Sequence, residues 1–102
     1  MTIRIELAPE VLDDFERILE HLERYQVSDP ESRIDEILKA IDLLRTSPLI
    51  GRPASNDKRE LVIGQDAQGY VALYHYLAGI KTIFILAVRG QQEAGFSRPE
   101  DA

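Results

Sequence analysis

The side chains that could perform acid–base or metal chemistry are few in this sequence. Cysteine is absent, and the two histidines, His21 and His75, lie far apart in the chain. Histidine changes charge most readily near neutral pH, so these two residues are the first candidates for a general acid or base. Zinc sites place their ligands at short, characteristic spacings, which two distant histidines do not provide. The sequence therefore predicts no metal site and no cofactor.

Other reactive residue types lack a supporting motif. The segment Gly64–Gly69 joins two apolar runs with strand character, whereas a phosphate-binding glycine loop precedes a helix. Carboxylates form ordinary i, i+4 pairs with arginine, such as Glu20 with Arg24. His21 falls between charged and apolar positions of a helix, and His75 alternates with aliphatic residues. Both placements are more typical of a boundary or core histidine than of a catalytic one.

The length and composition are those of one ordinary domain. The chain has 102 residues, of which 44% are hydrophobic and 29% are charged. We expect one domain over residues 1–102, with a frayed tail over residues 97–102. No apolar run is long enough to cross a membrane, and the first residues alternate like a strand instead of forming a signal peptide. Together with the absence of cysteine, this predicts a cytoplasmic protein.

The net charge of −6 is concentrated in the first half of the chain. Residues 1–50 carry 12 acidic and 6 basic side chains, whereas residues 51–102 carry 6 of each. Proteins that bind a nucleic-acid backbone draw most of their affinity from clustered lysine and arginine. Because no such cluster is present, we predict no strong direct binding to nucleic acid.

The first half of the sequence predicts a strand followed by an amphipathic helix. The segment Thr2–Leu7 alternates apolar and polar residues, as a half-buried strand does. Pro9 suits the first turn of a helix, and the apolar stripe of that helix runs over Val11–Leu22. The opposite face is charged and includes Asp14 and Arg17. We expect that charged face to be solvated.

A second helix is predicted after a short break. Pro30 suits its first position, and either Asp29 alone or Ser28 paired with Glu31 could cap it. It should end shortly before Pro48, because proline disfavours a helical conformation in the residue that precedes it. Strands are predicted next at residues 59–63, 70–77 and 82–89. The order is β-α-α-β-β-β, an α+β fold in which a helical hairpin covers one face of a mainly antiparallel four-stranded sheet.

The last two predicted strands contain more apolar residues than one covered face requires. Both alternating sets of the strands at 70–77 and 82–89 are apolar or aromatic over most of their length. An antiparallel sheet with one wet face should alternate apolar and polar residues instead. Two helices can cover only one face, so we expect the other face to be a shallow concave patch or the landing site of a partner, unless the polar tail folds over it. The pattern indicates binding more than chemistry.

Five segments of the chain resemble the RelE/ParE superfamily, the toxins of bacterial type II toxin–antitoxin modules, and most closely its ParE, or plasmid-stabilisation, branch. These segments are APEVLDDFERILEHLE, RIDEILKAIDLLRTSPLIGRP, RELVIG, GYVALYHY and FILAVRGQQEAGF. The resemblance implies a helical hairpin on a curved antiparallel sheet. It also implies a cognate antitoxin that wraps the toxin in a hetero-oligomer and covers the surplus apolar face.

The superfamily is divided between two activities. RelE-like members cleave messenger RNA on the ribosome, whereas the characterised ParE members act on DNA gyrase and block replication. A nuclease site built by resemblance would use Arg59, Arg89, Tyr74 and Tyr76. RNA cleavage needs a base, an acid and cations for the charge that develops on the phosphate. However, Gly90, Gln92 and Phe96 stand where relatives often carry histidine, arginine and tyrosine, which disfavours a nuclease.

These considerations predict a ParE-like toxin that is not an enzyme and that binds a protein target, most simply DNA gyrase. A ribosome-dependent endoribonuclease and a degenerate toxin that retains only antitoxin binding are the alternatives. The residues predicted to bind the antitoxin or the target belong to one alternating set of the two long strands and to the segment that follows them: Tyr70, Tyr74, Tyr76, Ile83, Ile85, Arg89, Gln92 and Phe96.

Overall fold

The computed structural model describes residues 2–64 and 69–91. Helix α1 spans Pro9–Arg24 and helix α2 spans Pro30–Asp42, extended by a 3₁₀ turn at Leu43–Arg45. The strands are β1 (Arg4–Leu7), β2 (Arg52–Pro53), β3 (Arg59–Ile63), β4 (Tyr70–Leu77) and β5 (Thr82–Gly90). A second 3₁₀ turn, Ala78–Ile80, joins β4 to β5. The predicted tail at residues 97–102 lies outside the described residues.

Helix α1 begins at a proline and ends in a Schellman motif. Pro9 occupies the first helical position, where its missing N–H group is not needed. At the other end, Gln26 adopts a left-handed conformation with φ of 56°. The Val27 N–H group donates to the Leu22 carbonyl at 3.0 Å, and the Gln26 N–H group donates to the Glu23 carbonyl at 3.1 Å. These two bonds are those of a Schellman motif, which satisfies the last carbonyls of the helix and stops it.

Helix α2 begins at Pro30, as predicted, but the predicted side-chain cap is wrong. Asp29 is in the left-handed region with φ of 52°, and its side chain makes no capping hydrogen bond. Instead, the Ser32 hydroxyl donates to the Asp29 carbonyl at 2.8 Å. The first turn is therefore held by the main chain of Asp29 and the side chain of Ser32.

The sheet has five strands in the order β1-β5-β4-β3-β2, one more than predicted. The additional strand, β2, has two residues and pairs antiparallel with β3. The β3–β4 and β4–β5 pairs are also antiparallel, whereas β1 pairs with β5 in parallel. This parallel pair requires the chain to cross over between its two members, and both helices lie in that crossover. The α+β fold of two helices on a mainly antiparallel sheet is confirmed.

A bulge in β5 changes which of its residues face the helices. Tyr74 pairs with Ile85 and Leu73 pairs with Ala87, so Leu86 is an extra residue in the ladder. Before the bulge, Ile83 and Ile85 face the helices. After it, Val88 faces them, because it pairs with the core residue Ala72. The simple alternation predicted for β5 therefore fails after Ile85.

The core lies between the helices and this face of the sheet. Buried aliphatic residues from both helices pack against aromatic and branched residues of β3, β4 and β5. The fully buried large side chains of this cluster are Val11, Ile37, Leu44, Tyr74, Ile83, Ile85 and Val88. The face of the sheet that carries Tyr74, Ile83 and Ile85 is called the helix-covered face below, and the opposite one is called the open face.

Asp14 belongs to this packing, although the sequence predicted it to be solvated. It is only 7% exposed, and its Oδ2 accepts a hydrogen bond from the Val88 N–H group at 2.9 Å. Arg17 donates to Asp14 Oδ1 at 2.8 Å and to the Val88 carbonyl at 3.1 Å. Strand β1 pairs with β5 only as far as Ile85. The side chains of Asp14 and Arg17 therefore bond the N–H and carbonyl groups of Val88. A longer β1 would otherwise have paired with these groups.

Candidate functional site

Four of the predicted binding residues lie beneath the helices. Tyr70, Tyr74, Ile83 and Ile85 belong to the buried core, and Tyr74 has 0% exposure. Tyr76 is half-buried and packs against the same cluster. The assignment of this alternating set to an uncovered face is wrong, since it is the set that the helices cover. The four buried side chains are not available to a partner in this conformation.

Arg89 lies on the other face, apart from the residues with which it was grouped. It pairs with Val71, whereas Tyr70 and Tyr74 belong to the opposite alternating set of β4. The bulge at Leu86 is the reason, because one extra residue moves every later side chain of β5 to the other face. Arg89 is half-buried, and its Nη1 donates to the Gly90 carbonyl at 3.2 Å. Gln92 and Phe96 lie outside the described residues.

The Tyr74 hydroxyl fastens the segment that follows helix α2 to the sheet. It accepts a hydrogen bond from the Gly51 N–H group at 2.9 Å and donates one to the Pro48 carbonyl at 2.9 Å. Gly51 is required for this close approach. A Cβ atom at Gly51 would lie 2.7 Å from both Cε1 and the hydroxyl oxygen of Tyr74. The sequence placed Pro48 and Gly51 in a loop of helix breakers but gave no sign of this contact.

Arg59 holds the same segment from the neighbouring strand. Its Nη1 donates to the Gly51 carbonyl at 2.7 Å and to the Leu49 carbonyl at 3.2 Å. Arg59 also pairs with Tyr74 in the β3–β4 ladder, so the two side chains are neighbours on the helix-covered face. Together they give four hydrogen bonds to the segment Pro48–Gly51. Their geometry indicates a structural role for both residues.

The four residues of the possible nuclease site are therefore divided between the two faces of the sheet. Arg59, Tyr74 and Tyr76 lie on the helix-covered face, and Arg89 lies on the open face. A reaction on one phosphate needs its acid, base and cations within hydrogen-bond reach of that phosphate. Groups on opposite faces of a sheet cannot meet this condition. The structure does not bring this predicted set together.

The open face carries an apolar centre between two ion pairs. His75, Leu77, Phe84 and Leu86 are partly exposed. At the two edges of this face lie the ion pairs Arg4–Glu6 at 3.2 Å and Arg52–Glu60 at 3.0 Å. The sequence had suggested that this whole face is uncovered, but part of it is buried. Val71, Leu73, Thr82 and Ala87 on this face are buried.

The two histidines do not complete a catalytic site with Arg89. His75 and Arg89 share the open face, but His75 pairs with Phe84 whereas Arg89 pairs with Val71. Their positions are thus four residues apart along β4, which is about 13 Å at the usual rise of a strand. His21 is exposed on α1, and its ring centroid lies 4.8 Å from that of Tyr25. Within residues 2–64 and 69–91, no group of three His, Cys, Asp or Glu residues could hold a metal ion.

Burial raises the pKa of the Tyr74 phenol above its ordinary value of 10.0, and the hydrogen bond from Gly51 and the positive charge of Arg59 oppose the rise. The folded protein therefore holds this proton more tightly than the unfolded chain does. The stability linked to Tyr74 is complete below pH 10 and is lost as the pH rises through the folded-state pKa. We expect the free energy of unfolding to decrease with pH above about 10.

Tyr74→Phe should remove this alkaline decrease and should also lower stability at neutral pH by about 1–3 kcal/mol, because the buried Gly51 N–H group and the partly buried Pro48 carbonyl lose their partner. Urea unfolding at neutral pH and at about pH 11 measures both effects. Tyr25→Phe is the matched control, since Tyr25 is largely exposed. A Tyr74→Phe protein with wild-type stability at both pH values would show that the hydroxyl does not hold the segment.

A family model for the ParE toxin of the type II toxin–antitoxin system parDE matches residues 5–95. The chain belongs to the ParE toxin family. The match spans both helices, strands β2 to β5 and all of β1 except Arg4. No curated protein sequence matches the chain. Among the described helices of this ParE toxin, none is long and apolar enough to cross a membrane.

Solved structures of toxins share the fold of this ParE-family chain. The chromosomal ParDE system from P. aeruginosa matches with a TM-score of 0.68 and 18% identity, over 86% of this chain and 95% of that one. The archaeal RelE–RelB complex from Pyrococcus horikoshii OT3 matches with a TM-score of 0.59 and 19% identity, over 92% of this chain and 100% of that one. A mutant of the E. coli toxin RelE in the free state matches with a TM-score of 0.63 and 12% identity, over 92% and 88%. At such identities these likenesses show the fold alone.

Proposed function

We propose that this chain is a toxin that acts by binding DNA gyrase in the cytoplasm, blocks replication and is neutralised by a cognate antitoxin. The observation that carries the proposal is the division of the nuclease candidates between the two faces of the sheet. Arg59 and Tyr74, which would have to act on RNA, are instead bonded to the main chain of residues 48–51. Membership of the ParE family supports a protein target.

The open face is the surface proposed for the antitoxin. It presents His75, Leu77, Phe84 and Leu86 as a partly exposed apolar centre, with ion pairs at two edges. An apolar centre with a polar rim is the usual composition of a protein–protein interface. Two of the similar structures are described as toxin–antitoxin systems or complexes, ParDE and RelE–RelB. A cognate antitoxin is therefore the partner proposed for this face.

A nuclease remains the competing function because His75 and Arg89 share the open face. The two functions stop different processes first in a growing cell. Expression of the chain without its antitoxin, followed by labelled thymidine and labelled methionine, separates them. We expect DNA synthesis to stop before protein synthesis, with transcripts intact. Early loss of protein synthesis together with cleaved transcripts would establish the nuclease, and normal growth would show a degenerate toxin.

A further inference from the structure

The outer edge of strand β1 presents main-chain groups that no strand of the described residues pairs with. The Arg4 N–H group donates to the Lys81 carbonyl at 2.9 Å and therefore points toward β5. Successive residues of a strand turn their main-chain groups to opposite edges, so those of Ile5 and Leu7 point away from β5. Among the strands of residues 2–64 and 69–91, β1 is the last on this side of the sheet. The N–H and carbonyl groups of Ile5 and Leu7 therefore form an open edge.

The other edges of the sheet are protected from further pairing. Beyond its pairing with β1, the edge of β5 is bonded by the side chains of Asp14 and Arg17. At the far side of the sheet, β2 has only two residues, and Pro53 has no N–H group to donate. Proteins usually block an exposed strand edge in such ways, because an open edge pairs readily with another chain. On the edge of β1, Arg45 bonds the Ile3 carbonyl just before the strand begins, at 2.8 Å, and the strand itself contains no proline.

The segment 3–7, with the sequence IRIEL, is complementary to itself in the antiparallel direction. Arg4 and Glu6 stand at equal distances on either side of Ile5. When two copies pair with Ile5 opposite Ile5, Arg4 of each copy lies opposite Glu6 of the other. Ile3 then lies opposite Leu7, so every pair is either apolar or of opposite charge. Opposite charges across an antiparallel pair of strands are stabilising, and like charges are destabilising.

The main-chain geometry favours the same register. Because the main-chain groups of Ile5 point outward, two Ile5 residues placed opposite each other form a pair that exchanges two N–H···O hydrogen bonds. Arg4 and Glu6 then occupy the non-hydrogen-bonded positions, where the side chains of two strands approach most closely. The Arg4–Glu6 ion pair within each chain, at 3.2 Å, does not oppose this arrangement, since both side chains are exposed and such pairs contribute little. The order of the two charges along the strand, and not the net charge, selects the partner.

We propose that two copies of the free toxin associate through their β1 strands, which pair antiparallel about a twofold axis and join the two sheets into one sheet of ten strands. Such an interface is isologous, since the same residues serve on both sides. Any extended segment can bond to an open main chain, but a basic and an acidic residue placed symmetrically about Ile5 match a second copy of the same strand. The contact is small, so we expect a weak dimer whose population rises with concentration. The inference does not depend on which protein the toxin targets.

The test reverses one charge at a time. Arg4→Glu and Glu6→Arg each place like charges opposite one another at both charged positions of the pair. The double variant Arg4→Glu/Glu6→Arg restores opposite charges, and so does an equimolar mixture of the two single variants, in which an acidic strand faces a basic one. Arg52→Glu, which disrupts the Arg52–Glu60 ion pair at the other edge of the sheet, is the control. Sedimentation velocity of the antitoxin-free toxin over a range of concentrations measures association, and thermal unfolding shows that each variant is folded.

We expect the wild type and Arg52→Glu to dimerise reversibly, and each single variant to dimerise at least about tenfold more weakly. The double variant and the mixture of single variants should regain the wild-type association. A wild-type toxin that stays monomeric at about 1 mM, or folded single variants that associate as strongly as the wild type, would overturn the inference. Unchanged association together with loss of antitoxin affinity in the single variants would overturn it too and would assign the edge of β1 to the antitoxin.

Discussion

Asp14→Ala is expected to lower the free energy of unfolding by about 3 kcal/mol, since a buried N–H group loses a charged acceptor. Asp14 accepts the Val88 N–H group at 2.9 Å and is 7% exposed. The change also removes the partner that positions Arg17 against the Val88 carbonyl. The end of β5 beyond its pairing with β1 would then lose both bonds from helix α1. Chemical denaturation of the purified toxin measures the loss.

Asp13→Ala is the matched control, because Asp13 is exposed and the chemical change is the same. It should alter stability by less than about 0.5 kcal/mol, as surface substitutions usually do. Asp14→Asn should recover part of the loss, since an amide oxygen can still accept the Val88 N–H group. Equal stability of Asp13→Ala and Asp14→Ala would mean that the carboxylate does not support β5.

Gly51→Ala is expected to destabilise the toxin by about 3 kcal/mol, the upper range for inserting atoms into a packed site. The added Cβ would lie 2.7 Å from Cε1 and the hydroxyl oxygen of Tyr74, and 2.9 Å from the Glu60 carbonyl oxygen. The ring of Tyr74 is fully buried and cannot move aside freely. The main chain must shift instead, and the hydrogen bond from Gly51 to Tyr74 is then weakened.

Gly79→Ala provides the control for the change from glycine to alanine. A Cβ atom there meets nothing within 4 Å. Because alanine restricts the unfolded chain more than glycine does, this substitution should leave stability unchanged or raise it by up to about 1 kcal/mol. Thermal unfolding of both variants gives the comparison. A Gly51→Ala protein as stable as Gly79→Ala would show that the segment has room near Tyr74.

The order and type of the main elements could be predicted from hydrophobic spacing. Helix α1 begins at Pro9 as predicted, and strands β3 and β4 have the predicted bounds. Strand β5 extends one residue beyond its predicted end, to Gly90. These elements are long enough for several periods of alternation to accumulate. Strand β2 has two residues, too few for any periodicity, and its pairing with β3 depends on tertiary position.

The exposed face of the sheet could not be predicted from the sequence. Both alternating sets of β4 and β5 are apolar, so composition did not distinguish the covered face from the open one. Arg89 belongs to the same alternating set of the sequence as Ile83 and Ile85, but the bulge at Leu86 places it on the opposite face. When the neighbouring residues are equally apolar, the sequence gives no sign of an extra residue in a strand. The predicted binding surface was therefore assigned to the wrong face.

The contacts that hold the segment Pro48–Gly51 and the end of β5 could not be predicted from the sequence either. Asp14 lies among the charged residues of α1, and only its position opposite Val88 shows that it is buried. Tyr74 and Gly51 are separated by 22 intervening residues, and their hydrogen bond joins a strand to a loop. Spacing along the chain does not reveal such pairs. Glycine and proline near residue 50 indicated a turn, but not its attachment to the sheet.

Binding of DNA gyrase is tested most directly by titrating purified gyrase with this toxin and measuring ATP-dependent supercoiling. A toxin that acts by binding should inhibit in proportion to the amount bound, saturate once the gyrase is occupied, and lose its effect when equimolar antitoxin is added. Full supercoiling activity in the presence of a large excess of folded toxin would contradict the proposed mechanism.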